Sequence, residues 1–270
     1  MKYLVYTITT ILALIILFWI GLKVQPAPFP SYTAGTSPAD TIPLPENLPS
    51  AVERYYLEIY GENVPVIHSA VISGRASMRV NGITFPARFR FTHIAGQGYR
   101  HYIEATIFGF PIMKVNESYL DGHGRMEIPF GIFEGEQVNQ GGNLGLWAES
   151  MWMPSIFVTD PAVSWEEIDD ETAVLVVPFG ETEEQRFIVR FDPETGLLSF
   201  MESMRYRDAE GGEKILWINN VKEWGRLNGE VFPVTGAVTW FDQGTPWAIF
   251  QVEEVVYNSD VTDYIRAKGP

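Results

Sequence analysis

Residues 81–91, NGITFPARFRF, place a turn directly before a run in which apolar and other side chains alternate. Asn-Gly is a strong signal for a two-residue hairpin turn. A period of two puts the apolar side chains on one face of a strand and Arg88 and Arg90 on the other. The stretch therefore predicts an antiparallel sheet with one buried face.

The same alternation recurs along the chain, at 103–107 and again at 186–191. Further turn signals separate such runs, at 193–196, 211–212, 228–229 and 242–244. We predict a mainly β domain with minor helix, built as a curved antiparallel sheet or half-barrel of about ten strands.

Two segments follow a helical period instead. Residues 50–60 begin with a capping box and carry an apolar stripe. Residues 141–153, GGNLGLWAESMWM, show the same spacing, with Asn143 as the predicted cap. A shorter helical piece is predicted at 161–168. We expect the helix at 141–153 to lie between two halves of the sheet and to leave an apolar cleft beside it.

The N-terminus carries a long uncharged run from Tyr3 to Leu22, bracketed by Lys2 and Lys23. Twenty helical residues span roughly 30 Å, the thickness of a bilayer's hydrocarbon core. The run is longer than the apolar core of a signal peptide and lacks a small-x-small cleavage pattern. We expect residues 1–23 to be an uncleaved, single-pass transmembrane anchor that contacts the lipid bilayer through residues 3–22.

The residues after this run indicate on which side of the membrane the domain lies and how far from the bilayer it stands. Residues 24–47 form a proline-rich linker, which is typical of extended structure and is expected to hold the domain away from the bilayer. Residues 48–270 are predicted to form a single β-rich domain. No basic cluster stands near the membrane on that side, which favours an extracytoplasmic domain.

Composition excludes several classes of function. Without Lys2 and Lys23, the chain holds 17 basic and 34 acidic residues, a net charge of −17. That charge repels nucleic acid, which is therefore not an expected partner. Cysteine is absent from the sequence, which excludes disulfides, thiolate metal sites, cysteine nucleophiles and lipoprotein acylation.

Two segments are dense in polar and aromatic residues. Residues 119–126, YLDGHGRM, set Asp121, His123 and Arg125 among glycines, and residues 147–154 place Glu149 beside Trp152. A carboxylate desolvated by an indole has a raised pKa and suits acid–base chemistry. Asp121, His123 and Glu149 are therefore candidate catalytic residues of a hydrolase. The alternatives are a solvated turn at 119–126 and a structural ion pair between Glu149 and an arginine such as Arg125 or Arg205.

The side chains around Glu149 also suit an apolar or amphipathic ligand, because aromatics and methionines form an adaptable lining. The candidate ligand-binding residues are Arg125, Trp147, Glu149, Met151, Trp152 and Met153. Ordinary core packing is the alternative for the apolar members. His93 and His101 stand across a predicted hairpin, but neither a metal site nor a cofactor is expected.

Short motifs in a fixed order resemble a bacterial family of unknown function. They are Leu48-Pro49 with Arg54-Tyr55, Tyr119 with Asp121-Gly122, Glu149 with Trp152 and Pro154, Trp165 with Ile168-Asp169, and Asn228-Gly229 with Pro233. The family pattern has Arg-Tyr before the helix glutamate, where this chain has Gly145-Leu146. The resemblance implies no particular reaction. The expected architecture is also analogous to periplasmic lipoprotein carriers, in which a curved sheet cradles helices around a lipid-accepting cleft.

The leading hypothesis is a membrane-tethered module that binds an apolar or amphipathic ligand between sheet and helix. An envelope scaffold or interaction protein without a small ligand is the first alternative, with its protein partners unknown. A hydrolase using Asp121, His123 and Glu149 is the second, and an enzyme is the less favoured class.

Overall fold

A computed structural model describes residues 2–33 and 39–269. The chain begins with helix α1 (Lys2–Gly21), followed by strand β1 (Thr41–Pro43), helix α2 (Ser50–Ile59) and strand β2 (Asn63–Pro65), and β1 pairs with β2. Helix α1 is long and apolar enough to cross a membrane, with a mean hydropathy of 2.3, and a signal sequence shares these properties. Helix α2 forms where the apolar stripe predicts it. The predicted capping box is wrong, because Pro49 precedes the first turn and no side chain caps the helix.

The rest of the chain builds one large antiparallel sheet from two meanders. The first meander contains β3 (Ser69–Val80), β4 (Ile83–Ile94), β5 (Gly98–Ile107), β6 (Phe110–Leu120), β7 (His123–Ile128) and β8 (Gly131–Glu134). The second contains β9 (Ser164–Asp169), β10 (Thr172–Phe179), β11 (Glu183–Phe191), β12 (Leu198–Tyr206), β13 (Lys214–Leu227), β14 (Glu230–Trp240) and β15 (Ala248–Tyr257).

Strands β3 and β15 pair with each other and join the two meanders. The resulting sheet has 13 strands, with β8 and β9 at its edges, and is not closed into a barrel. This confirms the predicted class, a mainly β fold on an open antiparallel sheet, although the sheet has more strands than predicted.

The direction of the strands places alternate turns at the same end of the sheet. The turns after β3, β5 and β7 therefore lie together at one end. Because β15 runs antiparallel to β3, the connections after β10, β12 and β14 lie at that end too. Helix α1 also finishes there, since the carbonyl of Gly21 accepts a hydrogen bond from the Phe108 N–H at 2.9 Å. We call this the α1 end of the sheet.

Helix α3 (Glu136–Glu149) links the two meanders and packs against the concave face of the sheet, followed by a 3₁₀ turn (Ser150–Trp152) and α4 (Ile156–Thr159). The helix starts earlier than predicted, so Asn143 lies inside it. The Asn143 side-chain amide donates to the Pro178 carbonyl at 3.0 Å and to Gln185 Oε1 at 2.9 Å. It anchors the middle of the helix to the second meander.

The predicted helical piece at 161–168 is wrong, because most of it forms the edge strand β9. Trp165 there pairs in register with Leu175 of β10, and its indole N–H donates to the Phe157 carbonyl at 3.0 Å. Pairing with a neighbouring strand and burial of one aromatic side chain outweigh the local helical spacing.

The start of the proline-rich linker packs against the sheet instead of standing free. The Phe29 side chain is 6% exposed, and the Arg88 guanidinium carbon lies 4.4 Å from its ring centroid. Arg90 donates to the Pro30 carbonyl. Both arginines project to the outer face, as the alternation predicts. Residues 34–38 of the predicted linker lie outside the described residues.

Candidate functional site

The register of the first meander brings two histidines to the same face of the sheet. His101 pairs with Phe91 on one side and with Glu117 on the other, and His93 pairs with Tyr99. Alternate residues of a strand share a face. His93 and His101 therefore both face helix α3, although eight positions separate them in the sequence.

Glu149, the last residue of α3, meets both histidines. Its Oε2 lies 2.5 Å from His101 Nε2 and 3.2 Å from His93 Nε2. Behind His101, Nδ1 is 3.9 Å from Glu117 Oε2, and the Tyr99 hydroxyl donates to Glu117 Oε1 at 2.7 Å. The side-chain partners of Glu149 are therefore histidines, where sequence reasoning offered an arginine.

Burial and charge shift the pKa values of this cluster in different directions. Burial lowers the pKa of His93, and the contact with Glu149 offsets this only in part. For His101, the two neighbouring carboxylates outweigh burial and raise the pKa to about 9.

The carboxylates respond to the same contacts. Burial raises the pKa of Glu117, but the hydrogen bond and charge of His101 outweigh it and bring that pKa to about 2. Burial likewise raises the pKa of Glu149, and His101 followed by His93 outweighs it, so the pKa lies below its usual range. At neutral pH the cluster holds a protonated His101 between two carboxylates. The raised pKa expected for Glu149 beside Trp152 is not found.

The residue types of this cluster are also those that bind zinc. His93, His101 and Glu149 offer three ligand atoms that lie within 4.8 Å of one another. Ligand atoms of a tetrahedral zinc ion, with bonds of about 2.0–2.2 Å, stand roughly 3.3 Å apart. The distance of 2.5 Å between His101 Nε2 and Glu149 Oε2 is shorter than this separation. In this arrangement the carboxylate contacts the imidazole directly instead of sharing an ion with it.

A cavity of about 270 Å³ lies beside this cluster, between α3 and the concave face. His101, Glu117 and Glu149 form part of its wall. Its aromatic lining consists of Phe91, Tyr99, Trp152, Tyr206, Trp217, Trp240, Trp247 and Phe250. Gly145 lets the helix approach closely here, because a Cβ at this position would lie 3.1 Å from the Tyr99 hydroxyl.

The second meander contributes nitrogen donors to the cavity. Arg205 stacks on Trp217, with its guanidinium carbon 4.3 Å from a ring centroid. Four buried nitrogens of the second meander have no hydrogen-bond acceptor among residues 2–33 and 39–269: Arg205 Nε, Trp217 Nε1, Asn219 Nδ2 and Trp247 Nε1. A buried donor without an acceptor costs about 1–3 kcal/mol. The cavity is thus suited to a molecule that brings hydrogen-bond acceptors.

The polar residues of the predicted 119–126 segment lie elsewhere. Asp121 and His123 are exposed at the β6–β7 turn, and Asp121 pairs with Arg266 at 2.9 Å. Arg125 pairs with Glu134. None of these three lines the cavity. The structure does not bring the three candidate catalytic residues together.

The predicted ligand-binding residues divide into two groups. Glu149, Met151 and Trp152 line the cavity. Trp147 and Met153 are fully buried in the core, and the cavity wall does not include them. Sequence reasoning missed Trp217 and Asn219, whose spacing of two residues places both on the concave face.

A larger cavity of about 360 Å³ lies near α2 and the far ends of β13 and β14. Its polar side chains already donate to backbone carbonyls: Trp224 to Leu198 at 2.9 Å and Asn228 to Val255 at 3.3 Å. Tyr257 donates to the Trp152 carbonyl. The cavity beside α3 is therefore the stronger candidate for a site.

The fold and the site together define a class of protein. An open antiparallel sheet packs around the helix α3, and an internal cavity lies between the sheet and this helix. The chain belongs to the family of unknown function DUF6544, whose model matches residues 39–252. This confirms the predicted resemblance. No curated protein sequence matches the chain.

The chain is similar to several solved structures at low sequence identity, including the following two. A LolA-superfamily protein from Nitrosomonas europaea is 11% identical, with a TM-score of 0.47 over 81% of this chain and 96% of that one. A DUF1329-family protein from Desulfovibrio piger is also 11% identical, with a TM-score of 0.43 over 79% of this chain and 92% of that one.

Proposed function

We propose that the protein is a membrane-tethered binding module that holds a small amphipathic ligand in the cavity under α3. One observation carries the proposal: the cavity joins an aromatic lining to buried nitrogen donors that have no acceptor among the described residues. An apolar body would pack against the tryptophans, and a carboxylate, phosphate or carbonyl group would accept hydrogen bonds from Arg205, Trp217 and Asn219. An apolar lining with a small number of polar groups is typical of ligand pockets.

The volume limits the ligand to a small one. The cavity measures about 270 Å³, just below the range of about 300–1,000 Å³ that drug-sized ligands occupy. A short acyl chain or a single ring system fits this space, and a complete two-chain lipid does not.

The proposed tether is α1, retained as an uncleaved anchor with the domain on the extracytoplasmic side. Gly21 is the buried residue of α1, and it packs against Ile107 and Phe108 of the sheet. Residues 24–33 then continue along the outer face through Phe29. These contacts support retention, because a cleaved leader would not share an interface with the mature domain.

The substitution Asn219→Leu tests the binding site. It removes one buried donor and keeps the branched shape and number of non-hydrogen atoms of the side chain, so it should weaken binding while leaving the unliganded fold as stable or more stable. The matched control is Asn220→Leu, since Asn220 is the next residue of β13 and its side chain faces the opposite side.

The measurement uses the full chain in lipid nanodiscs with two probes, a naphthalene sulfonate and a short-chain fatty acid. We expect saturable binding to the wild type and to Asn220→Leu, and weaker binding to Asn219→Leu. The proposal is wrong if neither probe binds the wild type and no small molecule co-purifies with it. Equal binding by the two variants would also contradict it, because the donors would then have no role.

The hydrolase alternative lacks an assembled site among the described residues, since Asp121 and His123 are exposed while Glu149 is packed against the histidines.

A further inference from the structure

The turns of the first meander at the α1 end expose apolar side chains to solvent. The β5–β6 turn presents Phe110, which is 73% exposed, and the β7–β8 turn presents Phe130, which is 75% exposed. Neighbouring exposed residues are Ile83, Phe108, Ile112 and Ile132. The stretches 80–84, 107–112 and 128–133 contain no charged residue. We call these three stretches the apolar tips.

The apolar tips lie level with the end of the apolar helix α1. The Gly21 carbonyl accepts a hydrogen bond from the Phe108 N–H at 2.9 Å, inside the middle tip. Trp19 and Lys23 border the same small surface pocket as Thr84 at the β3–β4 tip. A tryptophan followed by a lysine is typical of the boundary between hydrocarbon and headgroups. A bilayer crossed by α1 would therefore have its surface close to the tips.

The backbone of the middle tip carries a strained residue. Four two-residue hairpin turns have positive φ at both central positions: Asn81-Gly82, Phe108-Gly109, Asp121-Gly122 and Asn228-Gly229. Asn and Asp tolerate this conformation, whereas a bulky residue is disfavoured there. Only the turn beside α1, of these four, uses a phenylalanine, with φ of 52°. The strained position presents an aromatic side chain where Asn would make the same turn more easily.

Two of the three connections of the second meander at the same end have the opposite character, while the third, after β14, exposes Phe241. The connections after β10 and β12 expose six carboxylates: Glu181, Glu183, Glu184, Asp208, Glu210 and Glu213. Anionic headgroups repel such a surface. These two turns are thus unsuited to contact with lipid.

We propose that the three apolar tips dock into the surface of the bilayer that α1 spans, with the acidic turns of the second meander held in water. The proposal rests on the proposed anchoring by α1 and adds a second contact with the same membrane. The Phe110 and Phe130 rings would enter to roughly the 5–10 Å depth of interfacial apolar groups. The domain then lies against the membrane with one half of the sheet and does not swing freely on its linker.

The absence of cysteine from the sequence makes a direct depth measurement simple. Four single-cysteine variants of the full chain are labelled with an environment-sensitive fluorophore and reconstituted at high lipid excess: Leu12→Cys, Phe110→Cys, Phe130→Cys and Glu210→Cys. Spin-labelled lipids then quench probes that reach the bilayer. All four side chains are exposed, so the labels should not disturb the fold.

We expect strong quenching at position 12, clear quenching with a blue-shifted emission at 110 and 130, and neither effect at 210. If position 12 is quenched while 110 and 130 behave like 210, the docking proposal is wrong and the anchoring stands. If position 12 is not quenched, the anchoring fails and docking fails with it. Blue-shifted but unquenched probes at 110 and 130 would show that a second copy or another protein covers the tips, which also overturns the proposal.

Discussion

The two meanders of the sheet meet the same helix and bound the same cavity with different chemistry. The first contributes a charged cluster, in which His101 lies between Glu117 and Glu149. The second contributes nitrogen donors without acceptors among the described residues, led by Arg205 and Asn219. The charged groups of the first side are paired with one another, so they should set stability. The second side has donors without acceptors among the described residues, so we expect it to determine the affinity for a ligand.

Among the substitutions that test this difference between the meanders, Glu149→Ala should have the largest effect on stability. The substitution removes the main counter-charge of His101 and should cost about 3 kcal/mol, near the lower end of the loss expected when one partner of a buried ion pair is removed. Urea unfolding of the full chain in detergent, followed by tryptophan fluorescence, measures the change.

The control for this substitution is Asp121→Ala at the exposed β6–β7 turn, which should change stability little. Equal effects of the two substitutions would mean that the charged cluster does not stabilise the fold.

The second prediction concerns pH. The His101 pKa is raised to about 9 in the folded state, above its usual value of about 6.5. Its contribution to stability is therefore complete below pH ~6.5 and is lost as the pH rises through about 9. We expect the unfolding free energy to fall by roughly 1–3 kcal/mol across this window.

The difference between wild type and His101→Gln reports that contribution together with the change in His93, whose pKa the charge of His101 lowers. His123→Gln, on the exposed turn, should keep the wild-type slope. A His101→Gln protein with an unchanged slope would show that His101 does not carry the proton.

The smallest effects should come from two adjacent glycines of α3, which face different meanders. A Cβ at Gly142 would lie 2.7 Å from the Tyr119 ring, and a Cβ at Gly141 would lie 3.1 Å from the Arg205 side chain. Tyr119 is a buried aromatic residue and cannot move easily, whereas the end of an arginine can.

Alanine in place of glycine favours a helix by about 1 kcal/mol, and overpacking costs about 1–3 kcal/mol. We therefore expect Gly142→Ala to destabilise the protein modestly and Gly141→Ala to be neutral or mildly stabilising, as measured by denaturant titration. Similar losses for both would mean that the second meander is as rigid as the first.

The fold class can be predicted from local sequence patterns, whereas the set of residues that form the site cannot. Alternation and Asn-Gly turns predict the sheet, because these signals act within one hairpin. The site depends on which strands lie side by side, and β3 and β15 pair although they stand at opposite ends of the domain. Glu149 is recognisable as a candidate in its own segment. Its contact with His93 and His101 depends on where α3 ends relative to the sheet, and no local spacing encodes that.

The position of the linker on the sheet could not be predicted from local sequence patterns either. Its prolines indicate an extended chain, but a single aromatic residue fixes where residues 24–33 lie on the sheet. Phe29 inserts beneath Arg88 and Arg90, and a residue that stands alone between prolines has no period from which its burial could be read.

The open sheet has a consequence for copies of the chain that share one membrane. Each molecule keeps two strand edges, and such edges can pair with those of another molecule. Strand β8 has only four residues, and β9 carries Glu166, Glu167 and Asp169 along six. A short edge and an acidic edge make poor templates for each other and for themselves, since like charges face each other across any β9–β9 contact. Crowding of the chains would therefore favour separate molecules over continuous intermolecular sheets.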